Sequence, residues 1–354
     1  RFSAAGLPRC AYLPGMSSSR RIQRVAPLAG CLAVALASMA VARVEPAAPN
    51  SVAEQMASSA RAMLAALPDE LDRKATAAHT DEERTQWAFG PVQRAGLAIG
   101  AMDEDQVKAL EALLDTALSS EGMTMWRQVQ QLESELRRLE STPEKVATHR
   151  DPDLYWLRIY GSPDASQRWS WRFEGHHIAL HVDCRPDRTP SVTPFFVGAR
   201  PVLEDRDDGA QGATVDVIGA LNEAYRAALA LGGESLPESE QPRPRDIRMG
   251  PGSNELPAED GAPFSDLKPK VRSAIADLLT TYLGLLDEPL RTPYLFDPER
   301  AKAVRFMRWG GGDLDGPRAW TILTPRFALE LFTTDGPDHL HTVLRDIDRD
   351  FGGK

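Results

Sequence analysis

Near Asp151 the apolar residues stop recurring every three or four positions and begin to alternate. That change of period decides what the chain can fold into. Before it, Met56, Ala60, Met63 and Leu64 recur at helical spacing until Pro68 ends the segment. Asp81-Glu82-Glu83-Arg84 opens a second segment leading to Trp87. Asp103-Glu104-Asp105 puts acids where a helix dipole favours them, ahead of an apolar side of Val107, Leu110, Leu113, Leu114 and Leu118. Met123 to Leu139 is a further amphipathic helix, with Val129, Leu132 and Leu136 spaced by three and four.

After the change, Leu154 to Tyr160, Trp169 to Val182 and Thr193 to Val197 read as strands. Val215 to Leu231 and Leu267 to Leu286 return to helix. Glu234 to Pro263, rich in Pro, Glu, Gly and Ser, reads as a loop or mobile connector. Val304 to Leu344 reads as strands separated by Gly310-Gly311-Gly312 and by Thr334 to Asp338. Helices first, then strands with inserted helices, give an α+β fold: a helical N-terminal layer packed on a mainly antiparallel sheet. One domain over residues 43–354 is expected, in preference to two separable ones.

Met16 is the natural point of initiation. Basic Arg20, Arg21 and Arg24 follow it, then an apolar run from Val25 to Ala42 closing on Ala40-Val41-Ala42. This is the build of a signal peptide over residues 1–42, so the protein is expected to be exported to the periplasm or beyond. A membrane anchor is the competing reading of the same run, but Pro46 and Pro49 follow it. Leu28-Ala29-Gly30-Cys31 resembles a lipoprotein cleavage box, although the apolar run continues past it. Cleavage after Ala42 removes five arginines and no acids, taking the net charge from −10 to about −15. Such a surface argues against a nucleic-acid partner. No stable membrane span is expected after cleavage. Of three cysteines only Cys184 would remain, so no internal disulfide can form.

Four of the seven histidines fall in two clusters about 160 positions apart, His176-His177 and His339-Leu340-His341. On one long strand from Trp169, residues Trp169, Trp171, Phe173, Gly175, His177, Ala179 and His181 would share a face. His177 and His181 would then stand about 13 Å apart, too far for one ion unless Gly175 marks a bulge. His339 and His341 on a strand project from one face about 7 Å apart and can converge on one zinc or iron ion. His177, His176, Glu174 and Glu330 are candidates to complete the set.

Glu330 is a lone carboxylate in the apolar run Phe327 to Phe332, and needs a partner or a role. A hairpin to His339 could set it beside His341, and a slip of one residue would put it on the opposite face. Arg345 could clamp an anionic substrate group or pair with Asp346. Trp171, with Trp169 and Phe173, could stack on a ligand or line the core. No G-x-S-x-G elbow is present, which disfavours that class of serine hydrolase.

Several segments, taken in order, resemble an uncharacterised bacterial family, the domain of unknown function 3500. They are Glu83-Arg84-Thr85-Gln86-Trp87 with Pro91, Arg94 and Gly96; Leu132-Glu133; Arg150-Asp151-Pro152 with Tyr155; and Trp169 to His177. Thr193 to Pro201, Glu330, His339 to Val343 and Arg345-Asp346 complete the set. The resemblance covers nearly all of the chain after residue 42 and implies no particular reaction.

The residues themselves support two readings of function. One is an exported metal-dependent enzyme, hydrolase-like, in which His339, His341 and His177 or His176 bind a divalent zinc or iron ion. There Glu330 or Glu174 is ligand or base, and Arg345 and Trp171 hold a small polar substrate. The other is a non-catalytic binding protein that uses the same pocket for a small-molecule ligand.

Overall fold

A computed structural model describes residues 49–201, 239, 242–253, 261–295, 303–309, 319–334 and 339–353, all within the compact unit Glu45–Lys354. The signal peptide expected over residues 1–42, the helix expected at 215–231 and the triple glycine at 310–312 lie outside the described residues.

Helices α1 (Pro49–Ala65) and α2 (Asp69–Ala75) come first, then short strands β1 (Thr76–Ala77) and β2 (Leu97–Ala98). Helix α3 (Glu104–Leu114) starts at Asp103, whose carboxylate accepts from the Asp105 and Gln106 amides while Gln106 reaches back to the Asp103 amide. Helix α4 (Ser120–Glu140) buries Val129, Leu132 and Leu136, and on that same stripe it buries Glu133.

Strands β3 (Tyr155–Tyr160), β4 (Trp169–Gly175), β5 (Ile178–Arg185), β6 (Arg188–Ser191) and β7 (Phe195–Ala199) follow. Then come β8 (Ala262–Pro263), helices α5 (Pro269–Leu283) and α6 (Glu288–Arg291), and strands β9 (Arg305–Trp309), β10 (Ala319–Leu323), β11 (Phe327–Thr333) and β12 (Leu340–Asp346). All join one sheet in the order β1-β3-β4-β5-β7-β12-β11-β10-β9-β8, with β2 on β3 and β6 on β5. Every described pairing is antiparallel except β1 with β3. The fold is α+β.

Alternation along the strands splits the sheet into two unlike faces. Trp169, Trp171, Phe173, Leu180, Phe195, Leu329 and Leu344 share one core with Met56, Leu110, Trp126, Val129 and Leu278 of the helices. The burial of each such side chain contributes about 1.5–3 kcal/mol. Trp171 is therefore a core residue, on the face turned away from Glu174. The opposite face carries Phe196, Ala328, Phe332 and Val343, interleaved with buried Arg172, Glu174, His181, Asp183, Glu330, His341 and Arg345.

The expected single strand from Trp169 to Val182 is instead a hairpin. β4 ends at Gly175, β5 begins at Ile178, and Gly175 pairs with Ile178 across a turn made of His176 and His177. His177 takes φ 63°, a left-handed conformation that a tight reversal demands and that histidine tolerates better than branched residues. Gly175 leaves room for packing, since a Cβ there would sit 2.1 Å from the Tyr155 ring. The turn moves His177 off the face it would share with His181 on a continuous strand.

Candidate metal centre

The hairpin turn reaches one end of the central strands, where β12 begins. The Gly198 amide donates to the His177 carbonyl at 2.8 Å, and Gly198 pairs with His341 across β7 and β12. The two distant clusters thus meet. His177 Nε2 lies 3.0 Å from His339 Nε2, and the His177 and His341 ring centroids are 5.3 Å apart. Two nitrogens bound to one ion at about 2.0–2.1 Å would stand roughly 3 Å apart.

Two groups of side chains have ligand atoms within 4.8 Å of one another: His177 with His339 and His341, and Glu133 with His176 and His177. Either could hold a metal ion.

Gly198 makes the approach possible. A Cβ at this position would lie 2.8 Å from His177 Cδ2 and 3.0 Å from both His341 Cδ2 and the Leu340 carbonyl. Gly198→Ala is expected to cost about 1–3 kcal/mol by overpacking, because a backbone oxygen cannot give way. Denaturant unfolding monitored by tryptophan fluorescence would measure it.

His341 is held on every side. Its Nδ1 lies 2.8 Å from Asp246 Oδ1, and its ring packs against Phe89 and Phe196 at centroid distances of 4.9 and 5.4 Å. Burial works to raise the Asp246 carboxyl, but the hydrogen bond and charge of His341 outweigh it and leave the group below its ordinary value. An ionised carboxylate only accepts, so Nδ1 donates to it and Nε2 is the nitrogen left for an ion.

His176 stacks on His177 with centroids 3.7 Å apart, and both of its nitrogens are engaged. Nδ1 meets Glu133 Oε1 in a short contact, and Arg150 Nη1 lies 2.9 Å from each ring nitrogen. Arg150 is itself fixed by Glu140, through Nε and Nη2 at 2.9 Å each. Burial pushes the Glu133 carboxyl up to about 8. Burial and the Arg150 charge push His176 down to about 2. Burial, followed by the neighbouring His176, holds His177 well below the ordinary imidazole value. His177 is therefore neutral, with Nδ1 buried and without a hydrogen-bond partner among the described residues.

The carboxylates and the arginine expected at the site are committed elsewhere. Glu330 pairs with Val343, so it shares a face with His341 and Arg345. It is fully buried, and its oxygens accept from the Arg248 and Met249 amides at 2.8 and 3.0 Å and from Arg248 Nε at 3.1 Å. Glu174 lies between His181 at 2.9 Å, Arg94 at 3.5 Å and Arg172 at 3.7 Å. Arg345 binds Asp350 and donates to the Met249 carbonyl at 2.5 Å. None of the three belongs to either ligand group.

Glu133 and Arg150 stood out in the sequence only within the family resemblance and not as site residues, and Asp246 did not stand out at all. Glu133 carried a signal, a carboxylate on the apolar stripe of α4. Asp246 carried none, because it sits in a Pro-rich loop.

Fold and site together define the class: an α+β protein whose large sheet ends in a buried imidazole cluster able to hold a metal ion. Within that class the chain belongs to the family described as Protein of unknown function (DUF3500), which it matches over residues 49–353. No curated protein and no solved structure matches it. No helix among the described residues is long and apolar enough to cross a membrane.

Proposed function

We propose that His177, His339 and His341 bind one divalent zinc or iron ion, and that the protein is an exported, hydrolase-like enzyme acting on a small polar substrate. The observation that carries this reading is the Asp246–His341 hydrogen bond, beside two other imidazoles at ligand spacing. A carboxylate on the far nitrogen of a ligating histidine fixes its tautomer and strengthens the ligand. Purely structural histidines have no need of such convergence.

Of the two overlapping groups, electrostatics favours this one. The Arg150 guanidinium, 2.9 Å from both His176 ring nitrogens, repels a cation there. Asp246 instead places a negative charge behind His341. Three protein ligands leave a position open, where an ion lowers the pKa of water and polarises a carbonyl or phosphoryl group. Phe89 and Phe196 exclude solvent from the His341 ring, while half-buried His339 marks the side from which a substrate enters. The basic and apolar leader before residue 43 supports a place outside the cytoplasm.

Metal analysis of the purified chain tests the reading. About one equivalent of zinc or iron is expected, and its removal by a chelator should lower Tm. An ion at about 100 times its Kd adds about 2.7 kcal/mol, or roughly 5–10 °C at about 2–4 °C per kcal/mol. No ion, together with no response to chelator or added metal, would count decisively against the site. A small molecule that raises Tm without turnover would favour the non-catalytic binding protein instead.

A further inference from the structure

We infer that Arg200 anchors an oxyanion, a carboxylate or phosphate of the substrate, at the three-histidine site. This deepens the metal reading and rests on it. Ala199 pairs with Leu340 and Gly198 with His341; Arg200 directly follows the last paired residue of β7, as His339 directly precedes the first of β12. Phe196 and Gly198 face the imidazoles, the first by ring contact with His341 and the second by close approach to His177 and His341. Arg200 immediately follows that strand, at the end where half-buried His339 opens the site.

The other arginines near the centre are used up. Arg150 is held by Glu140 and His176, Arg248 by Glu330, and Arg345 by Asp350 and the Met249 carbonyl. Arg200 is half-buried and makes no hydrogen bond or ion pair with a described residue. Its charge is felt by Glu140, whose oxygens Arg150 already occupies. A guanidinium in that position keeps its planar fork of donors for a ligand, and that fork matches carboxylate and phosphate.

The local charge agrees. Asp246 offsets one unit of a divalent ion, and Glu140 offsets Arg150. Arg200 then leaves the centre positive whether or not Glu133 is ionised. A positive pocket in a chain of net charge −10 focuses anions on this one place.

The test uses the full chain loaded with cobalt(II), whose visible spectrum reports on ligands at the ion. It is titrated in parallel with inorganic phosphate, acetate and neutral acetamide. Arg200→Ala is expected to hold the same equivalent of cobalt as wild type and to melt with it. Its Kd for phosphate, acetate or both should rise tenfold or more, with acetamide unaffected, and Arg200→Lys should recover part of the loss. A loss confined to phosphate names a phosphorylated substrate, and one confined to acetate a carboxylate.

An unchanged anion Kd in cobalt-loaded Arg200→Ala overturns the role of Arg200 and leaves the metal site standing. So does a cobalt-loaded wild type that binds neither anion. A wild type that holds no cobalt removes the metal reading and this assignment together.

Discussion

A chain carrying both His339→Ala and His341→Ala is expected to retain less than about a tenth of an equivalent of zinc or iron under conditions where wild type retains one. Four-ligand zinc sites in small peptides bind with about 10–16 kcal/mol, or roughly 3 kcal/mol per ligand. Losing two of three ligands therefore costs about 6 kcal/mol, on the order of 10⁴-fold in affinity. Elemental analysis after gel filtration would read this directly. A purely structural role for the cluster predicts something else. The variant would lose stability, because Asp246 is left facing a void, but wild type would hold no ion to lose. Chelator added to both proteins separates the cases. On the metal reading it lowers the Tm of wild type toward that of the double variant and leaves the variant where it was.

The sequence showed the class of fold because period is a local property. Val129, Leu132 and Leu136 mark a helix stripe without knowledge of what they touch, and β4 alternates visibly from Trp169 to Glu174. The convergence of the histidines was legible only as a possibility, since it depends on a turn. A strand reading of Trp169 to Val182 keeps His177 in line with His181. The observed hairpin sends it instead toward His339 through one residue at φ 63°. The alternation does carry a mark of that reversal, because the apolar positions change phase across it, from Trp169, Trp171 and Phe173 in β4 to Ile178, Leu180 and Val182 in β5.

Register decided the remainder. Glu330 opposite Val343 does share the face of His341, as one of the two possible registers allowed. What it binds is a loop more than eighty residues earlier in the chain, and no local pattern could supply that partner. Trp171 belongs to the aromatic stripe that lines the core, and Arg345 to an ion pair with Asp350 rather than with its neighbour Asp346.

Glu330→Ala is expected to cost about 3–5 kcal/mol, the range for removing one partner of a buried ion pair. Four donors converge on this carboxylate: the Arg248 and Met249 amides, Arg248 Nε and, at 3.4 Å, the Thr321 hydroxyl. Burial raises the Glu330 carboxyl above its ordinary value, although the Met249 amide and the Arg248 amide, side chain and charge pull it the other way. The same loop carries Asp246 two residues before Arg248, so releasing it should also loosen the carboxylate that orients His341. Loss of such a partner costs about 10–100-fold in metal affinity.

Glu330→Gln separates this role from a chemical one. As a pin for the loop, Glu330 cannot be replaced by an amide, whose NH2 group would face donors. Stability should then fall by about 1–3 kcal/mol per unsatisfied group, with metal affinity following. As a general base, Glu330 would tolerate the isosteric amide in the fold and lose about 10²–10⁴-fold in rate. A variant that unfolds at wild-type denaturant concentration would therefore contradict the pin. One that unfolds earlier and binds metal more weakly would show that the carboxylate acts on the centre through the loop it holds.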